Sequence, residues 1–162
     1  SVSVEPPMFV DVVNVTSAAD MADVVKSKAA EQDIIIMTAA VADFCPSHPA
    51  DEKIKKNDSS YESVIELERT EDILSYLGAH KTKGQLICGF SMETQNMLEN
   101  SKAKLAKKNA DMIVANNLKV AGAGFGTDTN VVTLITADDC TELEIMDKSC
   151  VAARIMDRLL QM

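Results

Sequence analysis

"AADMADVVKSKAAEQDIIIMTAAVAD", residues 18–43, decides the fold. Its first part, "AADMADVVKSKAAEQ", reads as a helix, and Ser17 with Asp20 three residues on supplies a capping-box-like start. "DIIIM" is then a short run with no polar alternation, the signature of a strand buried on both faces. "TAAVAD" follows it directly as a turn of small residues. A helix, a buried strand and a tight turn at the strand tip form one unit of an α/β domain.

The rest of the chain repeats that unit. "FVDVVNV", residues 9–15, reads as a preceding strand. "YESVIELE", residues 61–68, alternates, with Tyr61, Ser63, Ile65 and Leu67 on one side, and so belongs to an antiparallel pair with one wet face. Thr70 is placed to cap "EDILSYLGAH", "QLICGF" returns as a buried strand, and "TQNMLENSKAKLAKKNA" is a long helical pattern ending in lysines. "DMIVA" is a further buried strand. "NVVTLIT", a turn at "ADDC" and "ELEIM" read as a hairpin, and Ser149 is placed to cap the closing helix. Together these predict a single domain over residues 1–162: a Rossmann-like, three-layer α/β fold with a mainly parallel sheet plus a C-terminal β-hairpin.

Composition narrows the function. Sixteen basic against 25 acidic residues leave a formal charge of −9, which argues against sequence-blind binding to nucleic acid or to an anionic membrane. The longest apolar runs are only a few residues, and the N-terminal "SVSVEPPMF" has neither a basic n-region nor a secretory h-region, so the expected address is cytoplasmic. Four cysteines without a C-x-x-C pair, and two histidines, make no recognisable zinc pattern; reduced thiols are expected, with Cys88 a buried small hydrophobe. "GAGFG", residues 122–126, precedes a β-rich run rather than a helix and so fails the context of a dinucleotide fingerprint.

In open parallel sheets, ligands sit beyond the carboxyl ends of the strands. "TAAVAD", "SMET" and the "NN" after "DMIVA" all fall at such ends, which points to one crevice. In the first, small side chains allow close approach of a planar or phosphorylated ligand, and Asp43 offers an acceptor. Beyond it "CPSHPADEKIKK" carries Lys53, Lys55 and Lys56, a cationic arm suited to phosphate, although a solvated charge run is the ordinary explanation of such a cluster. Residues 38–56 as a whole look like neither helix nor strand. Lys104 and Lys108 share a helix face at i, i+4. A helix that follows a strand runs back toward the other edge of the sheet, so these two lysines should lie away from the strand tips unless the helix is displaced or broken.

"AAVADF…EKIKK", "ICGFSMET", "KLAKKNADMIVANN" and "GFGTDTNVVTLI", in this order, resemble the phosphopantothenate–cysteine ligase family over nearly the whole chain. The resemblance implies a ligase of coenzyme A biosynthesis that joins 4′-phosphopantothenate to L-cysteine. The acid would be activated by CTP as an acyl-cytidylate with loss of pyrophosphate, and the cysteine amine would then displace CMP. It implies Mg2+ on the phosphates, a homodimer, ATP in place of CTP in eukaryotic relatives, and often a fused or associated flavin-dependent decarboxylase. By position it implies Lys53 as the catalytic lysine. Ala39, Ala40, Asp43, Asp72, Ile73, Phe90, Lys104 and Lys108 become nucleotide-binding residues, and Asn116 a substrate-binding one. Two features depart from the family pattern: an opening strand with a "GGT"-like turn and an "N-x-SSG" segment are missing, so the chain is expected to be N-terminally truncated, and "TED" stands where an Asn-Pro-Asp-like sequence is common. A non-catalytic nucleotide-binding or dimerisation fragment is the alternative reading.

Overall fold

The helix predicted at residue 18 begins there for the predicted reason. In the computed structural model, which describes residues 5–50, 52–53, 64–93, 96–117 and 126–162, the Asp20 N–H donates to Ser17 Oγ at 3.0 Å. The Ser17 N–H donates to Asp20 Oδ2 at 2.9 Å, closing a capping box. The Thr16 hydroxyl adds a bond to the same carboxylate, and with the Ser17 groups and the Thr16 N–H it holds Asp20 down to about 2.

In chain order the elements are α1 (Ala18–Ala29), β1 (Ile34–Met37), β2 (Phe44–Pro46), β3 (Leu67–Arg69), α2 (Ile73–His80) and β4 (Leu86–Glu93). There follow α3 (Met97–Lys107), β5 (Met112–Asn117), β6 (Thr129–Asn130), β7 (Val132–Ile135), β8 (Cys140–Glu142), β9 (Met146–Asp147) and α4 (Lys148–Leu159). The main sheet runs β1-β4-β5-β7-β8. β1, β4 and β5 are parallel, whereas β7 lies antiparallel to β5 and forms the expected hairpin with β8, with Ile135 opposite Cys140.

Strand alternation assigns the layers. Cys88, Met112, Val114, Val132 and Leu134 pack against Val151, Ile155 and Leu159 of α4 on one face. On the other, Ile87 packs with Ala22 of α1 and with Ile73 and Leu77 of α2. Gly89 of β4 lets α2 close in: a Cβ there would stand 2.6 Å from Leu74 Cδ2. Two polar pins tie the layers to the sheet. Gln85, only 5 % exposed, donates from Nε2 to the carbonyls of Ala29 and Gln32 behind α1. Ser91 of β4 and Ser101 of α3 share a hydrogen bond of 2.7 Å, with Ser101 fully buried.

That last pair gives a clean expectation. Ser101→Ala leaves the Ser91 hydroxyl buried without its partner and should cost about 1–3 kcal/mol by urea denaturation, whereas the Ser91→Ala, Ser101→Ala double variant should recover much of the loss. A double variant no more stable than the single would show that the hydroxyls do not interact.

Several sequence expectations are corrected. Residues 9–15 form no strand; Phe9, Val10, Val12 and Val13 are exposed, and no ladder pairs them. Among the described residues β1 is an edge strand, flanked by β4 on one side alone, and it is only half-buried, unlike β5. Within residues 38–56, Phe44–Pro46 is a short strand, β2, paired antiparallel with β3. The antiparallel partner expected of "YESVIELE" is therefore real, but the strand covers only Leu67–Arg69, and residues 61–63 lie outside the described set. Cys140–Glu142, rather than "ELEIM", pairs with β7, and Met146 and Asp147 turn to β6 instead. Ser149 lies inside α4, whose N-cap is Asp147. Most of "GAGFG" lies outside the described residues.

Candidate active site

β4 outruns β1. Their register ends at Met37 opposite Gly89, so residues 90–93 have β5 beside them but no β1 on the other side, and at Thr38 the chain leaves the sheet. The space this opens is a cleft of about 320 Å3. Met37, Ala39, Val41, Ala42 and Asp43 form one wall, Arg69 to Leu74 the opposite one, and Phe90, Lys104 and Lys108 close it.

Asp72 rather than Thr70 is the N-cap of α2. Its Oδ1 accepts from the Ser75 N–H at 2.9 Å, while Oδ2 pairs with the Lys108 ammonium. Lys108 also donates to Ser75 Oγ at 3.0 Å. Partial burial pushes the Asp72 carboxyl up, but the Lys108 bond and the Ser75 N–H outweigh it and hold the group below its ordinary range. Lys104 donates to the Phe90 carbonyl at 2.8 Å, on the stretch of β4 that β1 does not reach. The cleft thus presents a cationic pair beside a helix N-terminus, an arrangement suited to a phosphorylated ligand, while the Phe90 side chain packs against the core on the α4 side.

The two lysines were expected away from the strand tips, and the geometry explains why they are not. α2 is eight residues long, so its N-cap stands only roughly 12 Å from its end. The end of α3 lies directly against that helix: a Cβ on Gly78 would stand 1.8 Å from the Lys108 carbonyl oxygen, and Asn109 Nδ2 donates to the Gly78 carbonyl at 2.7 Å. From there the Lys108 side chain runs along α2 to its first turn.

Of the residues singled out in the sequence, Ala39, Asp43, Asp72, Ile73, Phe90, Lys104 and Lys108 come together in this cleft. Ala40 is adjacent in the turn but is not part of the lining. Lys53 is exposed, in the chain joining β2 to β3, and does not line the cleft; Lys55 and Lys56 lie outside the described residues. Asn116 sits within β5, where its Oδ1 accepts from Asn130 Nδ2 at 2.8 Å. Ser91 and Met92 of "SMET" and the "NN" pair lie in β4 and β5 as paired strand and do not join "TAAVAD" in the cleft lining, and Thr94 lies outside the described residues.

Sequence reasoning passed over Ser75 and Arg69. Ser75, three residues after the N-cap, stands where an acceptor for Lys108 would be sought. Arg69 lies 5.4 Å from the Phe44 ring centroid, a pairing with no local signal. All four cysteines are free, and burial pushes the Cys88 thiol up to about 12, as its reading as a core hydrophobe requires. Among the described residues no group of three or more His, Cys, Asp or Glu could cage a metal.

A family model described as the DNA/pantothenate metabolism flavoprotein C-terminal domain matches residues 1–162. The chain belongs to this family. The coenzyme A biosynthesis bifunctional protein CoaBC of Bacillus subtilis is 46% identical over 156 residues, covering 96% of this chain and 38% of that protein. A cysteine/cysteine sulfinic acid decarboxylase from an unknown prokaryotic organism is 45% identical, covering 93% of this chain and 42% of that protein. Among solved structures, the C-terminal domain of a CoaBC superposes with a TM-score of 0.78 at 40% identity, over 99% of this chain and 72% of that one. The motif resemblance to phosphopantothenate–cysteine ligases thus falls on the same part of CoaBC proteins as the family match. The chain spans well under half the length of the curated relatives it matches.

Proposed function

We propose that the chain is the ligase domain, or the larger part of one, that joins 4′-phosphopantothenate to L-cysteine in coenzyme A biosynthesis, with CTP bound in the cleft. The observation that carries this reading is the convergence of seven of the sequence candidates, drawn from separate segments, on one cleft. In this mechanism the base lies against β4 at Phe90 and the Asp43 carboxylate accepts from its amine or from a sugar hydroxyl. The phosphates take Lys108 from Asp72, and Lys104 stands beside them. The acid's carboxylate attacks the α-phosphorus, pyrophosphate leaves, and the cysteine amine then attacks the acyl carbon and expels CMP. Lys53 stabilises charge on the transferring group, and Asn116 contacts the acid.

Mg2+ is bound in such sites chiefly through substrate phosphates and water, so an ion carried in by the nucleotide fits a cleft whose described residues offer no group of three or more His, Cys, Asp or Glu to cage a metal. When bound it neutralises phosphate oxygens. The bifunctional and decarboxylase names of the relatives support a fused or associated decarboxylase. Exposed Phe44, Val64, Ile65 and Leu67, on and beside the β2–β3 ribbon, support a homodimer. Among the described residues no helix is long and apolar enough to cross a membrane, which is compatible with a cytoplasmic site of action.

The second reading, nucleotide binding without catalysis, is favoured by the position of Lys53 outside the cleft lining. Thermal melts decide the binding step. At about 100 times its dissociation constant CTP stabilises by roughly 2.7 kcal/mol, a rise of several degrees, and Lys104→Met with Lys108→Met should abolish it. ATP in its place reports base selection. No rise with either nucleotide at millimolar concentration would overturn the proposal.

A further inference from the structure

Thr70 holds the two walls of the cleft together. Its N–H donates to the Asp43 carbonyl at 3.0 Å, extending the β2–β3 ladder one step beyond the Phe44–Arg69 pair. Its hydroxyl donates to the carbonyl of Ala42, 28 residues earlier in the chain. Ala42 and Asp43 belong to one wall; Thr70, Glu71 and the Asp72 cap of α2 belong to the other. The hydroxyl bond does what the ladder alone cannot. A planar peptide unit whose carbonyl is hydrogen-bonded rotates less freely, so the Ala42–Asp43 unit is restrained in orientation. With it the origin of the Asp43 side chain is restrained relative to α2.

We propose that Thr70 is a positioning residue, whose hydroxyl locks the 39–43 segment to the entry of α2 and so sets the separation of Asp43 from Asp72 across the cleft. The proposal rests on the nucleotide reading for its functional consequence, but not for the clip itself. A nucleotide bound between walls that already stand at the right distance forgoes the entropy loss of ordering them.

Thr70→Val keeps shape and the backbone N–H while deleting the hydroxyl; Thr70→Ser keeps the hydroxyl. In the ligand-free protein, amide exchange of residues 42–45 and 67–69 should be about tenfold faster in Thr70→Val, with β4 and β5 unchanged and Thr70→Ser close to wild type. Affinity for CTP should fall about tenfold in Thr70→Val and recover in Thr70→Ser, with Lys108 still in place. Unchanged exchange in Thr70→Val would overturn the clip. Faster exchange with undiminished CTP affinity would overturn its positioning role. If the wild-type protein itself binds neither CTP nor ATP, the nucleotide reading fails, and the exchange result alone decides whether Thr70 holds the walls.

Discussion

Gly78→Ala should destabilise the domain by about 2–3 kcal/mol, near the upper end of overpacking penalties, even though alanine is the better helix former by roughly 0.5–1 kcal/mol. The added methyl meets the backbone of Lys108, with oxygen at 1.8 Å and carbon at 2.9 Å, and backbone at the end of a packed helix cannot swing aside as a side-chain tip does. α2 and α3 must separate by more than an ångström. For a domain of this size the loss corresponds to a fall in Tm of roughly 5–10 °C. Ala79→Gly, one residue along on the exposed side of α2, should cost only about 0.5–1 kcal/mol and controls for helix propensity. The same displacement draws Lys108 away from Ser75 and Asp72. Gly78→Ala should therefore weaken nucleotide binding under conditions in which the variant is still fully folded. A variant as stable as wild type would show that the two helices are not in backbone contact.

This contact also marks where sequence reasoning ran out. The Ser17–Asp20 start of α1 was legible because every group in it lies within four residues. The apolar runs of β1, β4 and β5 were legible because burial between layers leaves no room for alternation. Thr70 and Ser149 have the chemistry of caps, yet in each case an aspartate two residues away takes the position. Thr70 gives its hydroxyl to Ala42 instead, and nothing local announces a partner 28 residues back. Residues 9–15 carry a strand pattern, but a strand needs a ladder, and no described strand pairs with them.

The site was legible in an uneven way. Topology alone argued against Lys104 and Lys108, since a helix that follows a strand runs back toward the other edge of the sheet. The family motifs argued for them, and the eight-residue α2 with its Gly78 contact reconciles the two. Asp72 was named for its place in a motif; that it caps a helix and engages Lys108 depends on the fold. The extent of β4 and β5 also lay beyond sequence reasoning. Ser91, Met92 and Asn116 continue as paired strand and do not join the lining.

Lys53→Gln should show the largest effect on turnover, a fall in kcat of about 10²–10³-fold, with KM for CTP and the CTP-induced rise in Tm close to wild type. The kcat loss follows from the proposed role of Lys53, and the unchanged binding follows from its position. Lys53 is exposed and does not line the cleft, so removing its charge takes nothing from the ground-state pocket. An exposed ammonium contributes little while water screens it, and far more where charge develops on the cytidylyl group being transferred and on the departing pyrophosphate with water excluded. Lys108→Met should behave in the opposite way. Its ammonium is already inside the cleft, half a dozen residues along α2 from its backbone contact, so its loss should first raise KM and erase the thermal shift. The two variants thus separate binding from chemistry, read by pyrophosphate release in the presence of 4′-phosphopantothenate and cysteine. Normal turnover in Lys53→Gln would remove Lys53 from the mechanism. An equal loss of binding in both variants would mean that Lys53 reaches the nucleotide before the reaction begins, and the division of labour between the two lysines would fall.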